Sequence, residues 1–311
     1  MNQLGTGTVS LISGEALLNL YPIVTRTVKA DVMTQTLVRL LTTAIACYPF
    51  TTVAVGSIVG QLSSHVVSMI YVFHIWTSYV AFLNLDVGDA ITLFYTYPII
   101  TVVLHQIIVQ QMDFNILYYF IISFTGVYLI GRGATNTAAT ANATTNANAN
   151  AKSTSLGIIA IILSALTESV IYLFYKNKQD SNPFNMLFSM CLSGGIILLI
   201  VFLSRKQTPE SQKTPESQKT TESQATPSRN AIFQLIGANL ILGVIGYLLR
   251  FYSVPILTTE WYSILSFSGI IFGYLYGWWF YGETINNSKL IGTVLILYSV
   301  YKVTLLGHLT Q

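Results

Sequence analysis

Long apolar stretches alternate with short polar breaks along the whole chain. About 20 apolar residues is what a helix needs to cross a hydrocarbon core roughly 30 Å thick. Runs of that kind occupy residues 8–25, 36–58, 66–83, 90–109 and 114–130, and five more follow at 156–175, 185–203, 231–254, 261–281 and 290–306. The pattern predicts an all-α integral membrane protein with ten transmembrane helices. Two polar stretches interrupt it. Residues 134–154 are almost entirely Ala, Thr and Asn, and 204–229 contain a tandem Thr-Pro-Glu-Ser-Gln-Lys repeat. Neither holds enough large apolar side chains to bury, so both are expected to be disordered.

These breaks divide the chain into a first five-helix unit at 7–133, a linker at 134–154, and a second five-helix unit at 155–306 that contains the insertion at 204–229. Without the insertion the two units have equal length. Short matches relate them: Gly126-Val127-Tyr128 to Ser299-Val300-Tyr301, and the run Gly14 to Pro22 to the run Thr167 to Tyr175. An odd number of spans per unit turns the second upside down relative to the first. The expectation is two inverted five-helix repeats with a site near the midplane between them.

Composition agrees with a membrane location: 52% of the 311 residues are apolar and 9% charged, with a mean hydropathy of +0.59. Soluble domains run about a quarter charged, so a water-soluble globule is excluded. The 19 Tyr, 16 Phe and 4 Trp suit rings at two membrane interfaces and between helices, and 21 Gly suit close helix packing. The net charge of +3 is small and its basic residues lie at helix ends and in the insertions, so no nucleic-acid groove is expected. Cys47 and Cys191 lie inside apolar runs and read as core packing. The first segment has no Lys or Arg before Glu15 interrupts its apolar run, so the first helix is expected to stay in the mature protein.

Glu15 and Glu168 are the most informative residues. A carboxylate inside an apolar span is costly and points to function by default, and these two occupy matching positions of the two units. Helical spacing puts Glu15 and Asn19 on one stripe and Ser164, Glu168 and Tyr172 on another, both expected to face the interior. Burial disfavours the charged carboxylate, so both are expected to exchange protons near neutral pH against a cationic or polar substrate. The alternative is that each fixes packing, by bonding a neighbouring helix or pairing with Arg39 or a histidine.

Arg39 is an intramembrane cation that must be paired or watered. It can pair with a glutamate, snorkel to an interface, or recognise an anionic substrate group. His74 shares a polar face with Ser64, Ser68, Tyr71 and Ser78, where a hydrogen-bonded core role outweighs a proton relay. Tyr95, with Thr92, Thr96 and Pro98, marks an irregular helix of the kind tolerated where it lines protein or a cavity, and Ser266, with Ser263 and Gly269, is its counterpart in the second unit. Arg250 and Lys302 read as snorkelling ends, and Glu260 and Glu283 as interfacial. His65 and His105 lack such context. No metal-ligand spacing is present, and no cofactor is expected.

These residues resemble the drug/metabolite transporter superfamily, in particular its ten-helix EamA-like permeases. The resemblance is carried by Asp89 to Pro98, Arg39, Tyr281-Gly282-Glu283 and Leu290-Ile291-Gly292. Gln110-Gln111 stands where the family tends to have Gly-Glu, and Gly269-Ile270 where a second proline would be. The resemblance implies a permease working by alternating access. In the small multidrug resistance branch a first-helix glutamate is shared by proton and substrate, and Glu15 and Glu168 are the matching positions. The function expected is therefore a secondary transporter of a small polar metabolite or drug-like molecule, with proton antiport.

The rival is a membrane scaffold or receptor that kept the fold without transport. A nucleotide-sugar or sugar-phosphate carrier would want more inward-facing Lys or Arg, and an enzyme would need a nucleophile and base arrangement. Expected partners are membrane lipid and a small-molecule substrate, with the protein a monomer or a homodimer. Ten spans put both termini on one side. The distribution of Lys and Arg places that side outside, whereas the family resemblance and the sequons at Asn142 and Asn286 favour the reverse.

Overall fold

A computed structural model describes residues 3–108, 110, 114–141, 147–176, 182–205, 227–253, 255–257, 262 and 265–309, and the chain is helical throughout these parts. Helix α1 (Gln3–Leu18) ends in a turn at Asn19 and Leu20, and α2 (Tyr21–Thr27) restarts with Pro22 in its first turn, where a missing N–H costs nothing. The Asp31 carboxylate accepts from the Thr34 N–H at 3.0 Å and starts α3 (Val32–Cys47). A short helix α4 (Val55–Val59) precedes α5 (Leu62–Asn84). The next apolar run is interrupted at Tyr95 and Thr96, just before Pro98, giving α6 (Val87–Phe94) and α7 (Tyr97–Ile108).

The chain continues as α8 (Phe114–Ala141), α9 (Ala147–Lys176) and α10 (Pro183–Arg205). Helix α11 (Arg229–Ala238), capped by Ser228, runs through a widened π-helical stretch at Asn239–Ile245 into α12 (Gly246–Ser253). Helix α13 (Ser268–Tyr281) stops at Gly282, whose left-handed φ of 64° favours glycine, and α14 (Asn287–Leu309) closes the described chain.

The expected ten spans and two five-helix repeats are not what the structure has. Among the described residues five helical stretches are long and apolar enough to cross a membrane: Leu62–Asn84, Val87–Ile108, Ser153–Phe174, Pro183–Ser204 and Arg229–Ser253. Two lie in the first part of the chain and three in the second, an unequal division. For three of the other five runs the physical reason is helix length; α8 and α14, with 28 and 23 residues, do not share it. The run at 8–25 is split by Asn19-Leu20 and Pro22 into helices of 16 and 7 residues, α3 has only 16 residues, and α13 has 14. A break costs a span only where the pieces no longer run on as one long stretch: Val87–Ile108 survives its interruption at Tyr95 and Thr96, and 8–25 does not. Residues 142–146 of the expected linker and 206–226 of the expected insertion lie outside the described residues.

Early and late helices interleave: α8 packs on α14, α5 on α9, α1 on α12, α3 on α10 and α6 on α13. Small residues set the closest crossings. A Cβ on Gly126 or on Gly292 would meet the other's carbonyl oxygen at 2.6 Å, and a Cβ on Gly14 would lie 3.0 Å from the Gly246 carbonyl and 3.1 Å from the Arg250 N. The outer surface is strongly apolar, with Trp278 and Trp279 65% and 72% exposed, whereas Glu15, Arg39, Asp89, Arg250 and Lys289 are buried. An apolar exterior around buried charge describes an integral, multi-pass membrane protein.

Candidate functional site

The site begins with the α1–α12 crossing. Because Gly14 lets the two backbones approach, Glu15 on α1 faces Arg250 on α12, with Arg250 Nε 3.4 Å from Glu15 Oε1. From α9, Glu168 Oε1 lies 3.4 Å from Arg250 Nη1. One guanidinium therefore bridges both glutamates, as its planar fork allows. Its other contacts are phenols: Nε donates to the Tyr262 hydroxyl at 3.0 Å and Nη2 to the Tyr97 hydroxyl at 2.9 Å.

Each carboxylate has its own second support. The Tyr95 hydroxyl, at the α6–α7 break, donates to Glu15 Oε2, and Asn19 donates to the Tyr95 oxygen and to the Glu15 carbonyl. The breaks after α1 and α6 are thus where Asn19 and Tyr95 reach the carboxylate. Gly269 leaves room for both, since a Cβ there would overlap the Tyr95 hydroxyl. On the other side, His74 Nε2 is 3.7 Å from Glu168 Oε2, while its Nδ1 faces the Ser164 carbonyl at 3.1 Å and the Thr167 hydroxyl at 3.3 Å. The two glutamates differ in access: the side chain of Glu15 is 1% exposed and that of Glu168 14%.

Of the residues expected from sequence, Glu15, Glu168, Asn19, Tyr95 and His74 come together in this cluster. Tyr172, one turn beyond Glu168, is partly buried within electrostatic reach of Arg250. Ser266 is buried and donates to the Tyr262 carbonyl at 2.8 Å, so it steadies Tyr262 rather than touching a carboxylate. Arg39 does not pair with either glutamate. It sits in a separate cage of four tyrosines, 4.1 Å above the ring of Tyr21. The sequence reading missed Arg250, Tyr97 and Tyr262. Arg250 read as a snorkelling end, yet it is 6% exposed and holds the cluster together.

A second ionic cluster ties the ends of several helices. Glu283, just after the Gly282 turn, pairs with Arg26 at 3.0 Å and accepts from the Val87 and Gly88 N–H groups at 2.8 and 3.2 Å, a carboxylate at the start of α6. Arg26 also donates to the Phe82 and Leu85 carbonyls. Lys289 is 1% exposed in this cluster and reaches Asp89 at 2.7 Å and Asp86 beside it. Glu283 is thus a clasp between chain segments rather than an interfacial residue. Glu260 lies outside the described residues, as does Ser263. Cys47 and Cys191 are both free and buried.

With this geometry in place, the chain can be compared with known proteins. Residues 155–305 match the model of the EamA-like transporter family. The match takes in Glu168 and Arg250 but not Glu15, and it corrects the expectation that the resemblance runs over nearly the whole chain as a ten-helix permease. No curated protein matches. A solved structure titled only "Crystal structure of protein" is 12% identical, with 97% of this chain and 98% of that chain covered and a TM-score of 0.54. At that identity the likeness is one of fold alone. The chain is thus a multi-pass membrane protein whose residues 155–305 resemble the EamA-like transporter family, a likeness in keeping with small-molecule transport.

Proposed function

We propose that the protein is a secondary transporter that moves a small polar or drug-like molecule by alternating access, in exchange for protons. The observation that carries the reading is the buried Glu15–Arg250–Glu168 bridge. Burying ions costs several kcal/mol each unless they are well paired, so a cluster of three is maintained only by close compensation. A proton or cation arriving at Glu168, the more accessible carboxylate, competes with Arg250 for it. Arg250 then has two arrangements, bridging both glutamates or withdrawn towards Glu15, Tyr97 and Tyr262. Ligands that favour one arrangement over the other shift a two-state equilibrium, which is the requirement for coupling a bound ion to a conformational change. The Asn19 and Tyr95 breaks supply the irregular backbone beside such a site.

The test uses proteoliposomes containing a pH-sensitive dye, exposed to a panel of small cationic and polar compounds. The reading predicts compound-dependent proton movement in the wild type that is lost in Glu168→Gln. Compound uptake without proton movement, or unchanged movement in Glu168→Gln, would refute it.

A further inference from the structure

The cage around Arg39 is not used by this reading, and its chemistry is that of an anion receptor. Arg39 on α3 is 4% exposed. Its guanidinium lies over the Tyr21 ring, donates from Nη1 to the Tyr79 hydroxyl at 3.4 Å, and donates from Nη2 to the Tyr247 and Tyr71 hydroxyls at 3.1 and 3.5 Å. Among the described residues no carboxylate lies within ion-pairing distance of it. Neutral phenols offer it cation–π attraction and hydrogen-bond acceptors, each modest, but no opposite charge. A guanidinium has five N–H donors and these contacts engage three. As an acceptor from Arg39, Tyr79 keeps its own O–H hydrogen for a further acceptor, and Tyr71 and Tyr247, which hydrogen-bond each other, keep one such hydrogen between them. The cage therefore gathers a cation and hydroxyl groups from α5 and α12 around one guanidinium.

Charge balance gives the second argument. In the bridge and the cage two acidic side chains, Glu15 and Glu168, stand beside two basic ones, Arg250 and Arg39. A proton or cation taken up at one of these carboxylates adds one positive charge to this group of four. Tyr247 and Arg250 are one turn apart on α12, so the cage and the bridge share a helix.

We infer that the Arg39 cage, formed with Tyr71, Tyr79 and Tyr247, binds one compact monovalent anion, a carboxylate or a halide. The charge argument rests on the transport reading above; the donor geometry does not.

Calorimetric titration of the full-length protein in detergent with sodium acetate, and separately with sodium bromide, tests this against sodium isethionate as a bulky control at equal ionic strength. Saturable one-site binding of acetate or bromide is expected, the former marking a carboxylate site and the latter a halide site, with none for isethionate. Arg39→Gln should abolish it. Tyr79→Phe and Tyr247→Phe, which keep the rings, should each weaken it about fivefold, the loss of one hydrogen bond, and they decide the matter if Arg39→Gln fails to fold. Glu168→Gln should retain binding, and saturable anion binding in a wild type that shows no proton exchange overturns the transport reading alone. Absence of saturable binding in the wild type, or equal binding in Arg39→Gln or in both Phe variants, would overturn the inference.

Discussion

Nε of Arg250 lies 3.4 Å from Oε1 of Glu15, although the two residues come from opposite ends of the chain. The contact exists because Gly14 lets α1 sit against the backbone of α12, and it makes Arg250 the residue on which the buried cluster depends. Removing one partner of a buried ion pair leaves the other charged and dry, at a cost of about 3–5 kcal/mol. Arg250→Gln is therefore expected to lower thermal stability sharply in detergent, and Glu15→Gln added to it should restore part of the loss. Arg250→Lys should fold better than Arg250→Gln but lose transport, because an ammonium cannot fork to two carboxylates and two phenols at once. Paired melting curves of the four proteins check this.

Tyr95→Phe removes the hydroxyl that donates to Glu15 while keeping the ring. A hydrogen bond to a charged group contributes about 1.5–3 kcal/mol, and the expected loss of stability falls in that range. In Glu15→Gln the same substitution should cost less, so the double-mutant cycle measures the coupling directly.

The α1–α12 crossing can be opened from outside the cluster. In Gly14→Val the new side chain meets the Gly246 carbonyl and the Arg250 backbone, pushing α1 away and lengthening the Glu15–Arg250 contact. Overpacking of this kind costs about 1–3 kcal/mol. Transport should fall further than stability, since no charged group has been changed. Transport assays beside melting curves would show whether the two fall together.

The clasp at Glu283 gives a separate expectation. Glu283→Gln keeps the size of the side chain but removes the charge that Arg26 and two α6 N–H groups share. Stability should drop by about 1–2 kcal/mol through the lost helix-end and ion-pair interactions. Proteolysis at the α13–α14 turn should quicken, while proton exchange at the bridge stays as in the wild type.

How far these features can be read in the sequence differs from residue to residue. Glu15 and Glu168 stand out because hydropathy exposes a carboxylate in an apolar run whatever the fold. Arg250 does not, because it falls near the end of such a run, where snorkelling explains a cation equally well. Hydropathy places a residue along a helix but says nothing of which neighbour it faces, and the carboxylates that hold Arg250 belong to α1 and α9. Lys289 was hidden in the same way, as one cation in a short polar connection whose partners Asp86 and Asp89 are distant in sequence. Part of the ten-span expectation failed for a local reason: the runs around Asn19 and Pro22, at α3 and at α13 are apolar enough, but their helices are too short, whereas α8 and α14 are long and fall outside the five spans without that reason.

The most direct test of the central account is proton release by the purified wild-type protein without substrate, from about pH 5 to about 9, a range that spans the ordinary values of His and of perturbed carboxylates. It is to be compared with Glu15→Gln, Glu168→Gln and the double variant. Above the background that the histidines give in all four proteins, a component present in the wild type, reduced in each single variant and missing from the double one, is what a loadable Glu15–Arg250–Glu168 bridge predicts. Coincident curves for all four proteins would mean that the glutamates are held permanently by Arg250, and would contradict proton exchange at this site.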